Sequence, residues 1–172
     1  ILPQAATIFW HIRLPRILSA ALIGASLTAA GSVYQGMFRN PLVSPDILGV
    51  SSGAGLGAAL AILSGAPGWL VQLSAFCGGV AAVALSYLVS RKSAYSQTLS
   101  LALTGSMVMA LCNAGITLIK YVSDPNSVLP QITFWLMGSL NGTSLEDLAW
   151  SAAPMAAGLA VIFALRWRIN LL

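Results

Sequence analysis

The stretch Arg13–Gly57, RLPRILSAALIGASLTAAGSVYQGMFRNPLVSPDILGVSSGAGLG, decides the fold. It holds two apolar segments joined by a short polar turn. Between Leu14 and Gly36 the only charge is Arg16. That run matches the roughly 20 residues a helix needs to cross the hydrocarbon core of a bilayer. Arg39-Asn40-Pro41 ends it, and Ser44-Pro45-Asp46 is expected to reopen a helix. Proline suits the first helical position, where a missing N–H costs nothing, and Asp46 suits the positive end of the helix dipole. Beyond it, Gly49, Gly53, Gly57, Ala61 and Gly65 recur every four residues. A stripe of small residues lets a neighbouring helix come close, so Gly49, Gly53 and Gly57 are read as packing positions.

The rest of the chain has the same character. Of its 172 residues 58% are hydrophobic and 7% charged, and the mean hydropathy is +0.86. A soluble domain carries about 25% charged residues, so this chain could not cover a water-facing surface. The fold class that fits is an all-α, polytopic membrane helix bundle. The net charge of +4 is small and scattered, without the clustered basic face that nucleic-acid binding needs. Cys77 and Cys112 each fall inside an apolar run without a partner at metal spacing, and read as small core residues. The first ten residues lack the basic start and cleavage site of a signal peptide.

Taken in order, residues 1–12 read as a connector on the membrane surface, with Trp10 and His11 at the interface. Five crossings are expected, at roughly 14–36, 47–64, 69–90, 98–122 and 145–166, within one partial transmembrane domain over 1–172. A short helix at roughly 131–140, inside the apolar run Val128–Leu140, is too short to span. Ser144-Leu145-Glu146-Asp147 is a cap with acids in the first turn of the fifth crossing, and Pro154 is positioned to kink it. Alternating ends place Arg39, Arg91, Lys92, Arg166 and Arg168 on one side. Arg13, Arg16 and Lys120 fall on the other, with the acids Asp124, Glu146 and Asp147. The richer side is cytoplasmic by the positive-inside rule.

Chemistry is sparse. The phosphate-binding loop G-x-x-x-x-G-K-[ST] does not occur, so ATP is not bound by that route. No cluster has metal-ligand spacing, and no metal or cofactor is expected on this chain. No ionisable residue falls in the middle of an expected crossing, which argues against proton coupling through this portion. The fourth crossing is the richest in neutral polar groups: Thr98, Ser100, Thr104, Ser106, Asn113 and Thr117. Asn113, in mid-helix, faces either a pathway or a neighbouring helix.

Arg13-Leu14-Pro15-Arg16, Gln35, Arg39-Asn40-Pro41-Leu42, Pro45, Leu48-Gly49-Val50 and Gly53-Ala54-Gly55 occur in one register. Leu103-Thr104-Gly105, Trp135–Leu140 and Trp167–Leu172 extend the match to the last residue. In these features the chain resembles permease subunits of the FecCD family, from bacterial ABC importers for iron–siderophore complexes, haem and cobalamin. Family members are about twice as long, with about ten membrane helices, and this chain resembles the second to sixth, cut at both ends.

The resemblance implies a transport function. Arg13 and Arg16 would meet glutamates on the two lobes of a periplasmic or lipid-anchored substrate-binding protein. Thr98 and Leu99 match the cytoplasmic gate, and the fourth crossing lines the pathway at a dimer axis. The short helix around Phe134–Met137 corresponds to one at the external mouth, and reads equally well as an aromatic interfacial anchor. Arg168 and Asn170 fall where the ATPase-coupling segment begins. Two copies, or this subunit and a relative, would enclose the pathway in the bacterial plasma (inner) membrane. A separate ATP-binding cassette ATPase would consume the ATP. The rival readings are a membrane scaffold without a transport path and a membrane enzyme. The second lacks any acid–base or nucleophile–base pair.

Overall fold

The structure, a computed structural model, describes residues 7–92 and 96–169. These residues form helices and turns, and none is in a strand. They fall into two compact units: one takes the chain through Ser44 and again from Ser139, the other is Pro45–Gly138.

In the first unit a π-helical turn, Phe9–Arg13, runs straight into α1, Leu14–Phe38. A surface connector was expected to end at residue 12, but the helix is continuous over Phe9–Phe38, 30 residues. That is about 45 Å at 1.5 Å per residue. Pro15 gives the physical reason for the π turn. Its ring has no N–H and would crowd the carbonyl four residues back, that of His11. A wider turn, in which the Leu14 N–H donates to the Phe9 carbonyl, carries the chain past that position.

The other end of α1 explains the Gln…Arg-Asn-Pro spacing. Arg39 adopts a left-handed conformation, φ 49°. Its N–H donates to Gly36 O at 3.2 Å, and the Asn40 N–H donates to Gln35 O at 3.2 Å. This is a Schellman closure with arginine in the place glycine usually takes. The Gln35 amide nitrogen then donates to Pro41 O at 3.1 Å. Asn40 Oδ1 accepts from the Leu42 N–H at 2.9 Å. α6, Leu145–Ile169, packs along α1. It opens with a reciprocal cap: Ser144 Oγ accepts the Asp147 N–H at 3.1 Å, and Asp147 Oδ2 accepts the Ser144 N–H at 3.0 Å. Pro154 lies inside α6.

The second unit holds α2 (Val50–Leu63), α3 (Gly68–Ser90), α4 (Gln97–Val122) and α5 (Val128–Met137). The start of the second expected helix is corrected here. Residues 45–49 form a turn, not the start of a helix, and Gly49 at φ 76° stands at the α2 N-cap. A side chain at Gly49 would meet the α4 backbone, 3.2 Å from Met109 N and 3.3 Å from Gly105 O. The left-handed turn and the close fit both require glycine, and they delay the helix by about one turn. Asp46 still caps it: Oδ1 accepts the Ser51 N–H at 2.8 Å. With 14 residues, α2 is about 21 Å long, short of the ~30 Å hydrocarbon core. Among the described residues four helices are long and apolar enough to cross a membrane: Phe9–Phe38, α3, α4 and α6.

α2 and α3 form the most extensive helix pair in this unit. Gly53 and Gly57 sit where added Cβ atoms would collide with Gly78, Ala82 and Ser74 of α3, so the two backbones approach to contact. α4 closes on the turn before α2 in the same way: a Cβ at Gly105 would strike the Ile47 carbonyl and stand 2.9 Å from Leu48 Cα. Fully buried Ser86 donates to Leu48 O at 3.1 Å. Ser100 donates to Ser90 O at 3.1 Å, tying the end of α3 to the start of α4. α5 rests on α2 through Ile132, which is fully buried with Ala59 and Ile119. It stops at Gly138, whose φ is 70°.

Candidate functional site

A polar concavity of the Pro45–Gly138 unit is built on α4. Asn113, Thr117 and Lys120 are spaced i, i+4 and i+7, so they line one face of the helix. Opposite stand Ser51 and Ser52 in the first turn of α2. Ile116 and Leu136 supply the apolar part of the lining. Gly55 makes room for those two: a Cβ there would stand 3.0 Å from Leu136 Cδ2 and 3.2 Å from Ile116 Cδ1. The space, open to the surface, is about 430 Å³.

Thr117 Oγ1 donates back to Asn113 O at 2.9 Å. Within the described residues the Asn113 carboxamide, the Ser51 and Ser52 hydroxyls and the Lys120 ammonium hydrogen-bond to nothing. All four residues line the cleft, with Ser51 and Asn113 exposed. The Asp46 carboxylate is turned to the Ser51 backbone N–H, and no acidic side chain lines the space. Below Lys120, past the end of α4, Asp124 accepts from the Ser127 hydroxyl and from the Asn126 N–H at 3.2 Å. Those two bonds hold its carboxyl below the usual aspartate range.

The other expected site residues lie elsewhere. Arg13 is exposed, and Arg16 is half-buried with its Nε shielded and without a hydrogen-bond partner within the described residues. Both belong to one continuous helical run. Thr98 and Leu99 are exposed in the first turn of α4, and neither lines the cleft. Gly49, Gly53 and Gly57 are absorbed in helix contacts. Arg168 is exposed in the last turn of α6, where Arg166 stacks its guanidinium 4.1 Å from the Phe163 ring centroid. Asn170 lies outside the described residues. Ser51, Ser52 and Lys120 were not singled out as cleft residues from sequence, although the 113/117/120 spacing was there to be read. No group of His, Cys, Asp and Glu able to hold a metal occurs among the described residues.

A sequence model of the FecCD transport family matches residues 2–172. The chain belongs to the FecCD transport family. It is 39% identical to the molybdate import system permease protein MolB of Haemophilus influenzae, over 99% of this chain and 50% of that one. It is 40% identical to a Helicobacter pylori protein named "Probable iron chelatin transport system permease protein", over 99% of this chain and 51% of the relative. It is 38% identical to the cobalamin import system permease protein BtuC of Halobacterium salinarum, over 98% of this chain and 45% of the relative. A solved chain described as "An inward-facing conformation of a putative metal-chelate type ABC transporter" superposes with a TM-score of 0.91 at 40% identity. That superposition covers 98% of this chain and 54% of the solved one. This FecCD chain thus spans about half the length of the relatives it matches, and shares their helical membrane fold.

Proposed function

We propose that this FecCD chain is part of the permease subunit of a binding-protein-dependent ABC importer in a bacterial plasma membrane. The observation that carries this reading is the family match over residues 2–172, made by a chain with four helices able to cross a membrane. The cargo is a metal chelate, an iron–siderophore complex in the first instance. Relatives named for molybdate, iron chelatin and cobalamin put oxyanions and corrinoids beside it as alternatives.

The mechanism divides labour among proteins. A substrate-binding protein docks its carboxylates at Arg13 and Arg16. Charge pairs of this kind speed encounter and set register. A second permease copy or relative completes the pathway, with the Asn113 face of α4 on its wall and Thr98-Leu99 at the cytoplasmic gate. A separate ATPase supplies the energy and couples through the segment that begins at Arg168 and Asn170. This chain takes no catalytic role and binds no cofactor of its own.

The test is uptake by proteoliposomes holding the full-length permease, its ATPase and its binding protein, offered ferric siderophore, molybdate and cobalamin. Uptake that requires all three proteins and ATP is expected. Uptake that persists without the ATPase would overturn the reading. Charge reversal at both Arg13 and Arg16 is expected to weaken binding-protein docking at least tenfold, the equivalent of about 1.4 kcal/mol. Unchanged affinity would remove the docking role.

A further inference from the structure

We propose that the cleft between α2 and α4 is an anion-selective waypoint, and that Lys120 is its selectivity-determining residue. The inference rests on reading α4 as part of a transport pathway, and names the class of cargo that passes it.

Three observations meet at this place. First, four of the cleft's five polar residues offer donors, the Ser51 and Ser52 hydroxyls, the Asn113 carboxamide and the Lys120 ammonium, while the Thr117 hydroxyl is spent on Asn113 O. Hydroxyls and amides can also accept, but the single formal charge on the lining is positive. Second, these donors have no protein partner within the described residues, so a ligand would not have to displace an internal bond. Third, Lys120 is half-buried near the end of a 26-residue apolar helix. So close to the helix end the long side chain carries its ammonium toward polar surroundings, and it lines the cleft.

The volume of about 430 Å³ lies within the ~300–1,000 Å³ range of small-molecule sites. The matching cargo is a tetrahedral oxyanion or a metal chelate with net negative charge, such as a carboxylate complex. One cation with neutral donors attracts such a species without holding it firmly. A pathway needs that balance, because a site that binds tightly does not release.

The test uses the full-length permease assembled with its partners, with Cys77→Ser, Cys112→Ala and Thr117→Cys. The rates at which this thiol reacts with an anionic and a cationic methanethiosulfonate are measured, each normalised to its rate with a free thiol. The expected result is a preference for the anionic reagent of about 25-fold, since one nearby unit charge in water attracts the anion and repels the cation about fivefold each. Lys120→Gln should abolish the preference and Lys120→Arg should keep it. Equal rates, a preference that survives Lys120→Gln, or a thiol closed to both reagents would each overturn the proposal.

Uptake supplies the second arm. Among molybdate, ferric citrate and cobalamin, ATP-driven uptake of an anionic member is expected, lowered several-fold by Lys120→Gln. Uptake of cobalamin alone would overturn the selectivity role. A complete lack of ATP-driven uptake would instead count against the importer reading, and the thiol rates would still report on the cleft.

Discussion

Glycines inside helices fill different offices in the two units. In Pro45–Gly138, Gly53, Gly57, Gly78 and Gly105 stand where another element's backbone occupies the space a side chain would need. In the other unit Gly24, Gly36 and Gly158 meet nothing within 4 Å. Burial follows the same division. A third of the α4 span is buried, 33%, against none of the α6 span. One composition therefore supports a locked helix cluster in one unit and, in the other, helix glycines that meet no neighbour within 4 Å among the described residues. A stripe of small residues permits close approach, and only the presence of an opposing backbone turns that permission into a contact.

This contrast can be broken by mutation. The largest effect is expected at Gly105→Ala and Gly57→Ala, where the new methyl meets a carbonyl oxygen that has no rotamer to change. Overpacking of this kind costs about 1–3 kcal/mol, read as a lower unfolding midpoint of the full-length permease in mixed micelles. Gly24→Ala should do the reverse, holding or raising the midpoint by up to ~1 kcal/mol through helix propensity. Similar losses at all three positions would erase the distinction between the units.

A smaller effect separates buried from exposed hydroxyls. Ser86→Ala removes the buried bond to Leu48 O and should cost about 1 kcal/mol. Ser144→Ala removes the cap of α6 and should cost about as much, but as fraying of the first turn of α6. Hydrogen exchange tells them apart: α6 amides near residue 147 speed up in the second variant only.

The smallest effect is a pH dependence at the turn after α4. The Asp124 carboxyl is held below its usual value, chiefly by the Ser127 hydroxyl and then by the Asn126 N–H. A depressed carboxylate stabilises the folded turn above the unfolded aspartate value, about 3.9. That contribution is lost as pH falls through the lower folded value. Ser127→Ala should move the Asp124 titration up toward 3.9, followed by carboxyl NMR in micelles. An unmoved titration would remove the hydroxyl's role.

Much of the fold was legible without coordinates. Long runs without charge mark helices, because a backbone in lipid must satisfy its own hydrogen bonds. The Ser144–Asp147 cap and the turn after Phe38 were readable because caps are local chemistry. The start of α2 was not. Pro45 and Asp46 look like a helix opening, and the left-handed Gly49 that postpones it is set by the nearness of Gly105 and Met109, more than fifty positions away in the chain. The cleft was half legible. The α4 stripe of Asn113, Thr117 and Lys120 follows from helical periodicity, but its pairing with Ser51 and Ser52 is a relation between two helices.

The amino-acid order by itself determined the helical membrane class, the polar turns and the family, since each depends on hydropathy, capping or motif spacing along one strand of chain. Tertiary structure alone decided which glycines are indispensable, how far α2 reaches, and which polar groups share a cavity. Those outcomes depend on what stands opposite a residue across a helix contact, and linear spacing carries no record of the opposite side.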